Sequence, residues 1–296
     1  MAPNRIAILM PGDMGHAVGH VLREHGHDVV SCLGGRSERT CKLAMTAGIR
    51  DTGSLAAVVN QVDVILSILP PASALNQAKA IAAAMTETGS VPVYVDCNAV
   101  SPQTVHEVGK TITAAGAAFI DAGIIGLAPG KGPTCRFYVS GSDLEPMTSL
   151  NGKGIEVISV GSEIGRASSL KMAYAGLTKG TWTLHTAVLL AAQQLGVLPE
   201  LLDELNFSQS GALSIMRDRI PRLPADSGRW VGEMEEITAT FAGAGVPSGF
   251  HKGATEIFRV LSITPFASET RETMDAGRSL EAALVEYARY LPKTDI

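Results

Sequence analysis

The chain has 296 residues, of which 46% are hydrophobic and 18% charged, so it has ample apolar surface and a length that suits two domains of about 100–200 residues each. The formal net charge of −5 and the pI near 5.8 argue against a nucleic-acid partner, because binding to a polyanion needs a basic surface. Aromatic residues make up only 5%, which is too few for base-stacking platforms.

The cysteines indicate a reducing compartment. They lie far apart and form no CxxC pair, so we expect reduced thiols in a cytoplasmic protein and no metal site. The four are Cys32, Cys41, Cys97 and Cys135. The N-terminal segment carries one positive charge before an apolar run that is too short for a signal peptide. No apolar run reaches the roughly 18 residues of a membrane span, so no membrane partner is expected.

The first half of the chain alternates short apolar runs with helical patterns. Arg5–Met10 is typical of a buried strand, and Met14–His25 has the spacing of an amphipathic helix. Further strands are predicted at His27–Leu33, Asp63–Leu69, Pro92–Asp96, Ala117–Ala122, Phe137–Ser140 and Glu156–Val160. Further helices are predicted at Ser37–Gly48, Ser73–Thr86 and Pro102–Ala115. This alternation predicts an α/β domain of the Rossmann type with a parallel sheet.

The second half of the chain is helical. From Ile164 the helical pattern continues to about Leu195, and no convincing strand follows. Later helices are predicted at Glu200–Leu205, Ala212–Ile220, Gly232–Ala244, Phe250–Leu261 and Glu269–Tyr290. We therefore predict a nucleotide-binding Rossmann-like domain at residues 1–163 and an all-helical substrate and dimerisation domain at residues 164–296. One long interdomain helix joins them.

The first predicted strand runs into a tight turn and then a helix. Gly12 and Gly15 are spaced like the last two glycines of a GxGxxG fingerprint, with Asp13 and Met14 between them. Gly12 lets the backbone approach a pyrophosphate, and Gly15 lets the helix pack on the strand while its first N–H groups attract the anion. The first glycine is missing, since Met10 stands there. In this context we predict dinucleotide binding rather than an ordinary glycine-rich turn.

The segment after the second strand, residues 32–39, distinguishes the two nicotinamide dinucleotides. An NAD site usually places Asp or Glu there on the ribose 2′-hydroxyl, but no acid stands at this strand end. Arg36 can instead bind a 2′-phosphate, with Ser37 as a second donor at a helix N-terminus. The alternative is a solvated Arg36 and a simple N-cap at Ser37. We predict NADP.

Four motifs in this order resemble those of the β-hydroxyacid dehydrogenases, which include 3-hydroxyisobutyrate and 6-phosphogluconate dehydrogenases. They are the cofactor turn at Met10–Gly19, the strand-end loop at Val95–Pro102, the substrate motif at Asp121–Gly126 and the catalytic segment at Gly161–Lys171. The resemblance covers nearly the whole chain. It implies hydride transfer between NADP and the hydroxyl-bearing carbon of a small organic acid. Lys171–Gly176 and Trp230–Glu236 are similar to a branch with a distinctive C-terminal helical domain.

The resemblance implies a set of site residues. Lys171 is the catalytic candidate, and the cofactor contacts extend from the glycine turn to Leu69, Pro70 and Asn98. The candidate substrate contacts are Ser101, Gly123, Ile125, Gly126, Glu233 and His251. Several have a structural alternative: Ser101 before a proline is also a good helix N-cap. Glu233 and His251 are candidates as polar residues of the helical domain, and a structural or surface role is the favoured interpretation of each.

Three departures from the family pattern concern the substrate. Ile125 stands where the family usually has a serine that helps hold a substrate carboxylate, and Ala175 stands where it has an asparagine. A later Lys-Asp pair is replaced by Gly232 and Glu233. The hydride chemistry therefore carries over more directly than the substrate.

Lys171 lies in an otherwise apolar segment, and an ammonium in apolar surroundings gives up its proton more readily. The alternative is a surface lysine that extends its charge to water. Lys179 and Thr178 lie near the same helix face and could replace the polar group lost at Ala175, although an ordinary helix-surface role is the favoured interpretation for both.

Two other functions fit the same motifs. An NADPH-dependent imine reductase shares the architecture, although such reductases commonly carry Asp or Tyr near the lysine position. The third hypothesis is a non-catalytic NADP-sensing protein. In each case a homodimer through the C-terminal helices is expected, because apolar segments such as Ala187–Ala192 and Ala254–Leu261 exceed what one small domain covers.

Overall fold

The computed structural model describes residues 3–270 and 272–292. Contacts divide the chain into two compact units, residues 1–172 and 173–296. One long helix, Arg166–Gln194, continues from the first unit into the second. The chain thus has the predicted α/β unit, the predicted helical unit and the long helix common to both, whereas the roles predicted for residues 1–163 and 164–296 stay predictions.

The first unit is built on one eight-stranded sheet. Its strands are β1 (Arg5–Ile8), β2 (Asp28–Ser31), β3 (Arg50–Asp51), β4 (Val64–Ser67), β5 (Val93–Asp96), β6 (Phe119–Ile125), β7 (Arg136–Ser140) and β8 (Glu156–Ser159). The order across the sheet is β3-β2-β1-β4-β5-β6-β7-β8. The strands run parallel except at the β6–β7 pair, which is antiparallel. That reversal follows from the short connection between β6 and β7, since a parallel pair needs a crossover of a dozen or more residues.

The helices of the first unit connect the strands. They are α1 (Gly15–Glu24), α2 (Glu38–Thr46), α3 (Leu55–Gln61), α4 (Ala74–Thr88), α5 (Pro102–Ala114) and α6 (Glu145–Thr148). Ile6 and Ile8 belong to one buried apolar cluster, whereas Ala7 and Leu9 belong to another. Since successive strand residues face opposite sides, each side of the sheet has its own core.

The second unit is helical. It holds most of α7 (Arg166–Gln194), then α8 (Leu198–Ser208), α9 (Ser210–Arg219), α10 (Pro224–Gly243), α11 (Gly249–Ser262) and α12 (Leu280–Ala288). The predicted helix over Glu269–Tyr290 is wrong in length. Ser279 begins α12, because its hydroxyl accepts a hydrogen bond from the backbone N–H of Ala282 at 3.1 Å. In the described part of the chain, no helix combines the length and the apolar character needed to cross a membrane.

Candidate active site

The turn between β1 and α1 has the geometry of an anion-binding turn. The Gly12 N–H donates to the carbonyl of Met10 at 2.8 Å. A Cβ at Gly15 would lie 2.3 Å from that same carbonyl oxygen, so only glycine allows α1 to approach β1 so closely. At Gly12, by contrast, the position of a Cβ is open among the described residues, with no atom within 4 Å. The first turn of α1 contains no acidic residue, so its N–H groups suit an anion such as a pyrophosphate.

Arg36 lies beside the end of β1. Its Nη2 donates to the carbonyl of Leu9 at 3.4 Å and to Oε1 of Gln77 at 3.2 Å. Its Nε is buried and has no hydrogen-bond partner within the described ranges. Ser37 accepts a hydrogen bond from the N–H of Thr40 at 3.2 Å and so caps α2, as predicted. The guanidinium of Arg36 is therefore held next to the turn, and its hydrogen bonds to Leu9 and Gln77 use only Nη2.

Two charged residues near the carboxyl ends of β1, β2 and β3 were not predicted from the sequence. Arg39 pairs with Asp13 at 2.7 Å and thereby connects α2 to the glycine turn. Asp51, at the end of β3, accepts hydrogen bonds at 3.0 Å from the N–H groups of Leu33 and Gly53, and these bonds lower the pKa of Asp51. The signal for Asp51 was hidden because β3 has only two residues, too few for a recognisable strand pattern.

A row of four buried polar side chains crosses the sheet near the carboxyl ends of its parallel strands. Ser67, Asp96, Asp121 and Ser140 are register partners on β4, β5, β6 and β7. All four have 0% of their surface exposed. We call these residues the polar row. Buried polar groups need hydrogen-bond partners, so the polar row holds in place the neighbouring segments that hydrogen-bond to it.

One such segment is the loop after β5. Asn98 donates from Nδ2 to Oγ of Ser67 at 3.1 Å and to Oδ2 of Asp96 at 2.9 Å, and its Oδ1 accepts from the N–H of Leu69 at 2.5 Å. Both amide N–H donors of Asn98 are therefore used within the protein. Pro70, which follows Leu69, has extended backbone angles and begins a 3-10 turn. The cofactor contacts predicted for these residues stay predictions.

Two candidate substrate residues have clear local roles. Ser101 is 1% exposed and caps α5, since its Oγ accepts from the N–H of Thr104 at 3.2 Å. This is the structural alternative named for it. Gly126 is exposed with φ of 122°, a backbone conformation that favours glycine. Ile125, just before it, is half-buried at the end of β6.

Lys171 lies on the first turns of α7, against β6. A Cβ at Gly123 would lie 2.8 Å from the Cβ of Lys171 and 2.8 Å from the carbonyl oxygen of Ala167. Glycine at this position is therefore what allows α7 to rest on the strand. Lys171 itself is half-buried.

The electrostatics around Cys135 relate Lys171 to the glycine turn. Burial raises the pKa of the Cys135 thiol to about 11, and the positive charge of Lys171 opposes that rise. The Sγ of Cys135 also lies 4.0 Å from Sδ of Met14, which belongs to the turn. The structure therefore brings Lys171, Cys135 and Met14 together at one end of the sheet.

In the second unit, Lys179 and Glu233 form a buried ion pair. The Nζ of Lys179 lies 2.8 Å from Oε2 of Glu233 and 5.6 Å from the centroid of the Trp230 ring. Arg229 contacts the other carboxylate oxygen of Glu233. The favoured interpretation of Lys179 as a helix-surface residue is wrong, since it is 7% exposed. Its partner is on α10, which no pattern within α7 could reveal.

His251, the other polar candidate of the second unit, is packed among aromatic rings. Its ring centroid lies 4.1 Å from that of Phe241 and 5.2 Å from that of Phe250. A Cβ at Gly176 would lie 3.3 Å from its Nε2, so α7 also approaches it closely. Burial lowers the pKa of His251. Its packing among these rings is typical of a structural residue, and its contact with the substrate stays a prediction.

Two family models match the chain. Residues 5–144 match the NAD binding domain of 6-phosphogluconate dehydrogenase, and residues 192–261 match DUF1932, a domain of unknown function. Among curated proteins, an uncharacterized 28.5 kDa protein of Methanothermus fervidus is 33% identical over 178 residues, which are 60% of this chain and 67% of that protein.

Solved structures with the same fold include two hydroxyacid dehydrogenase-like proteins. A conserved protein of unknown function, described as structurally similar to 3-hydroxyacid dehydrogenases, is 28% identical with a TM-score of 0.63 over 87% of this chain and 96% of its own. A 3-hydroxyisobutyrate dehydrogenase of Mycobacterium tuberculosis is 17% identical with a TM-score of 0.65 over 96% and 99%. An imine reductase of Myxococcus stipitatus is 18% identical with a TM-score of 0.53 over 97% and 99%. The last two likenesses concern the fold alone.

Proposed function

Because the chain belongs to the β-hydroxyacid dehydrogenase family, in a branch that carries a DUF1932 domain, we propose that it is an NADP-dependent oxidoreductase acting on a small organic acid. When bound, the nicotinamide gives or takes a hydride at its C4 atom. The substrate carbon that exchanges this hydride bears a hydroxyl group, and the oxygen must lose or gain a proton in the same event. The protein therefore needs a group that carries this proton.

The close contact between Lys171 and β6 carries the proposal. Gly123 allows α7 to rest on the strand, and the charge of Lys171 acts on Cys135 beside the glycine turn. Lys171 takes the hydroxyl proton during oxidation, or donates a proton to the carbonyl oxygen during reduction.

The preference for NADP rests on Arg36 and its surroundings. The guanidinium of Arg36 lies beside the carbonyl of Leu9, next to the glycine turn, where it can pair with a 2′-phosphate, and Ser37 lies next to it at the start of α2. Arg39 brings a second guanidinium near the turn, where it pairs with Asp13.

A second candidate is NADPH-dependent imine reduction. Ile125 and the buried Ala175 offer no polar side chain where the family uses serine and asparagine to hold its substrate. A cyclic imine does not need the carboxylate anchor that those residues provide. An NADP-linked screen over hydroxy acids, amino-hydroxy acids, aldehydes and cyclic imines separates the two functions. Turnover of hydroxy acids supports the first proposal, and turnover of imines alone supports the second.

Replacement of Arg36 by alanine is expected to weaken NADPH binding by about 10-fold or more and to leave NADH binding nearly unchanged. Each charge-assisted hydrogen bond to a 2′-phosphate contributes about 1.5–3 kcal/mol. Titration of nucleotide fluorescence measures both affinities. The matched control is Arg136→Ala, which removes an exposed arginine paired with Glu156 and should change neither. Equal affinity of the unmodified protein for NADPH and NADH would contradict the assignment.

A homodimer through α7 is also proposed. Five exposed apolar residues, four on this helix and one directly after its last residue, occupy the a and d positions of a heptad pattern. They are Tyr174, Leu177, Leu184, Val188 and Leu195, with exposures of 47%, 68%, 48%, 41% and 76%. Such a stripe on a helix is typical of a surface covered by another helix.

Sedimentation is expected to give about 62 kDa, twice the chain mass of 30.9 kDa. The double variant Leu177→Glu/Leu184→Glu should sediment as a monomer, because charge is placed in the centre of the stripe. Phe207→Glu, which changes an 89% exposed residue on α8, should leave the dimer intact. A monomeric unmodified protein at micromolar concentration overturns the proposal.

A further inference from the structure

The carboxylate of Asp121, the third member of the polar row, receives four hydrogen bonds. Its Oδ2 accepts from Oγ of Ser140 at 3.0 Å, from the N–H of Gly165 at 2.8 Å and from the N–H of Ser168 at 3.2 Å. Its Oδ1 accepts from Oγ of Ser168 at 2.7 Å. Three of these four donors belong to the start of α7, so this carboxylate attaches the helix to β6.

The attachment uses the physical properties of a helix N-terminus. The first N–H groups of a helix have no partner within it, and a negative charge there is favourable. Ser140 extends the attachment, since its Oγ accepts from the N–H of Ala167 at 3.2 Å. Asp121 and Ser140 thus bind three residues at the start of α7, which are Gly165, Ala167 and Ser168. A buried carboxylate with this many donors makes strong, directional bonds.

The same strand also contacts α7 at Lys171. Gly123 lies two residues after Asp121 and therefore faces the same side of β6. The Cβ of Lys171 and the carbonyl of Ala167 are both in contact range of Gly123. Lys171 is one helical turn beyond Ala167, so the helix has little freedom to change their relative positions.

From these contacts we propose that Asp121 is a positioning residue for Lys171. Its carboxylate fixes the first turn of α7 on β6 and so determines where the lysine amine stands relative to the glycine turn. The expected effect of Asp121 on turnover rests on the proposed function, whereas its effect on the position of Lys171 does not. An asparagine at residue 121 has the same shape but presents an N–H donor where a carboxylate oxygen accepts. It cannot satisfy all four donors, so the first turn of α7 must shift.

In kinetics, Asp121→Asn is expected to lower kcat by about 100-fold, the size of effect that a displacement of about 1 Å can have. NADPH affinity is expected to stay near that of the unmodified enzyme. Asp63→Asn is the matched control. Oδ2 of Asp63 accepts from the N–H groups of Asn4 and Arg5 at 2.8 and 3.0 Å, so this carboxylate also binds backbone, but at the opposite ends of the strands. Asp63→Asn should leave kcat unchanged.

A second measurement does not need the substrate. Reductive methylation with ¹³C-formaldehyde gives each lysine an NMR signal, and the Lys171 signal is identified by its loss in Lys171→Met. Asp121→Asn is expected to change the chemical shift of that signal and the midpoint of its pH titration, whereas Asp63→Asn should change neither. Unchanged values in a folded Asp121→Asn protein overturn the inference.

Two milder variants keep the test decisive if Asp121→Asn does not fold. Ser140→Ala and Ser168→Ala each remove one hydroxyl partner of the carboxylate. Both are expected to shift the Lys171 signal by a smaller amount, and no shift in either overturns the inference. If Lys171→Met retains turnover, the proposed function fails, but the NMR result still decides whether Asp121 positions the lysine.

Discussion

Lys171→Met is expected to lower turnover by at least about 100-fold and to leave NADPH affinity unchanged. The substitution keeps the length of the side chain and removes the group that exchanges a proton, and positioned acid–base groups contribute roughly 10²–10⁴ in rate. Lys171→Arg keeps the charge, but its guanidinium does not lose a proton at working pH, so it should be impaired to a similar degree. Steady-state kinetics on the substrate found by the screen, with nucleotide titration in parallel, separate turnover from binding.

Lys110→Met is the control for this prediction. Lys110 lies on α5 and pairs with Glu107 at the surface, so its loss should change neither turnover nor binding. The unmodified enzyme should also show a dependence of kcat on pH that Lys171→Met lacks. Retention of most activity in Lys171→Met would remove the lysine as proton carrier. Imine reduction with another proton donor would then be the leading hypothesis.

Glu233→Gln is expected to lower the free energy of unfolding of the second unit by about 3–5 kcal/mol. The substitution leaves the ammonium of Lys179 buried without its countercharge, and breaking a buried pair on one side has a cost of this size. Both tryptophans, Trp182 and Trp230, are in the second unit. Tryptophan fluorescence during urea denaturation therefore measures this unit directly.

The neighbouring residue Glu235 provides the control. Its pair with Arg259 is exposed on both sides, so Glu235→Gln should change stability by less than about 1 kcal/mol. The double variant Lys179→Met/Glu233→Leu should recover most of the stability, because it removes both buried charges together. If Glu233→Gln instead raises KM and leaves the denaturation curve unchanged, Glu233 contacts the substrate and its role in the ion pair is minor.

The sequence was most informative where one local pattern is enough to define a structure. The β1–turn–α1 unit follows from Gly12 and Gly15, since the requirement for glycine is visible in the spacing. Ser37 and Ser101 are found as helix caps because a cap is decided within four residues. The short elements β3 and α3 were missed, since two strand residues and seven helical residues give too little periodicity to recognise.

Features that depend on contacts distant in sequence could not be predicted. Lys179 can be buried because it pairs with Glu233, which lies 54 positions further along the chain. Asp121 was visible only as part of a motif, because its partners Gly165 and Ser168 lie on another element. The overlong helix predicted at the C-terminus has a similar cause. Residues 272–278 are not helical, and the helix begins only after the Ser279 cap, a boundary that the interpretation placed ten residues too early.

The antiparallel β6–β7 pair has a consequence for how the protein can diversify. A parallel connection must return along the whole sheet through a helix, so a change in its length disturbs a packed layer. The connection at residues 126–135 instead leaves the sheet after Ile125, at the end of β6, and re-enters it after Cys135, at the start of β7. Both points lie at the same end of the strands. An insertion in this loop adds only to the entropic cost of closing the loop, and this cost rises slowly with loop length. A change in the length of this loop can therefore leave the β1–α1 turn and the strand register unchanged.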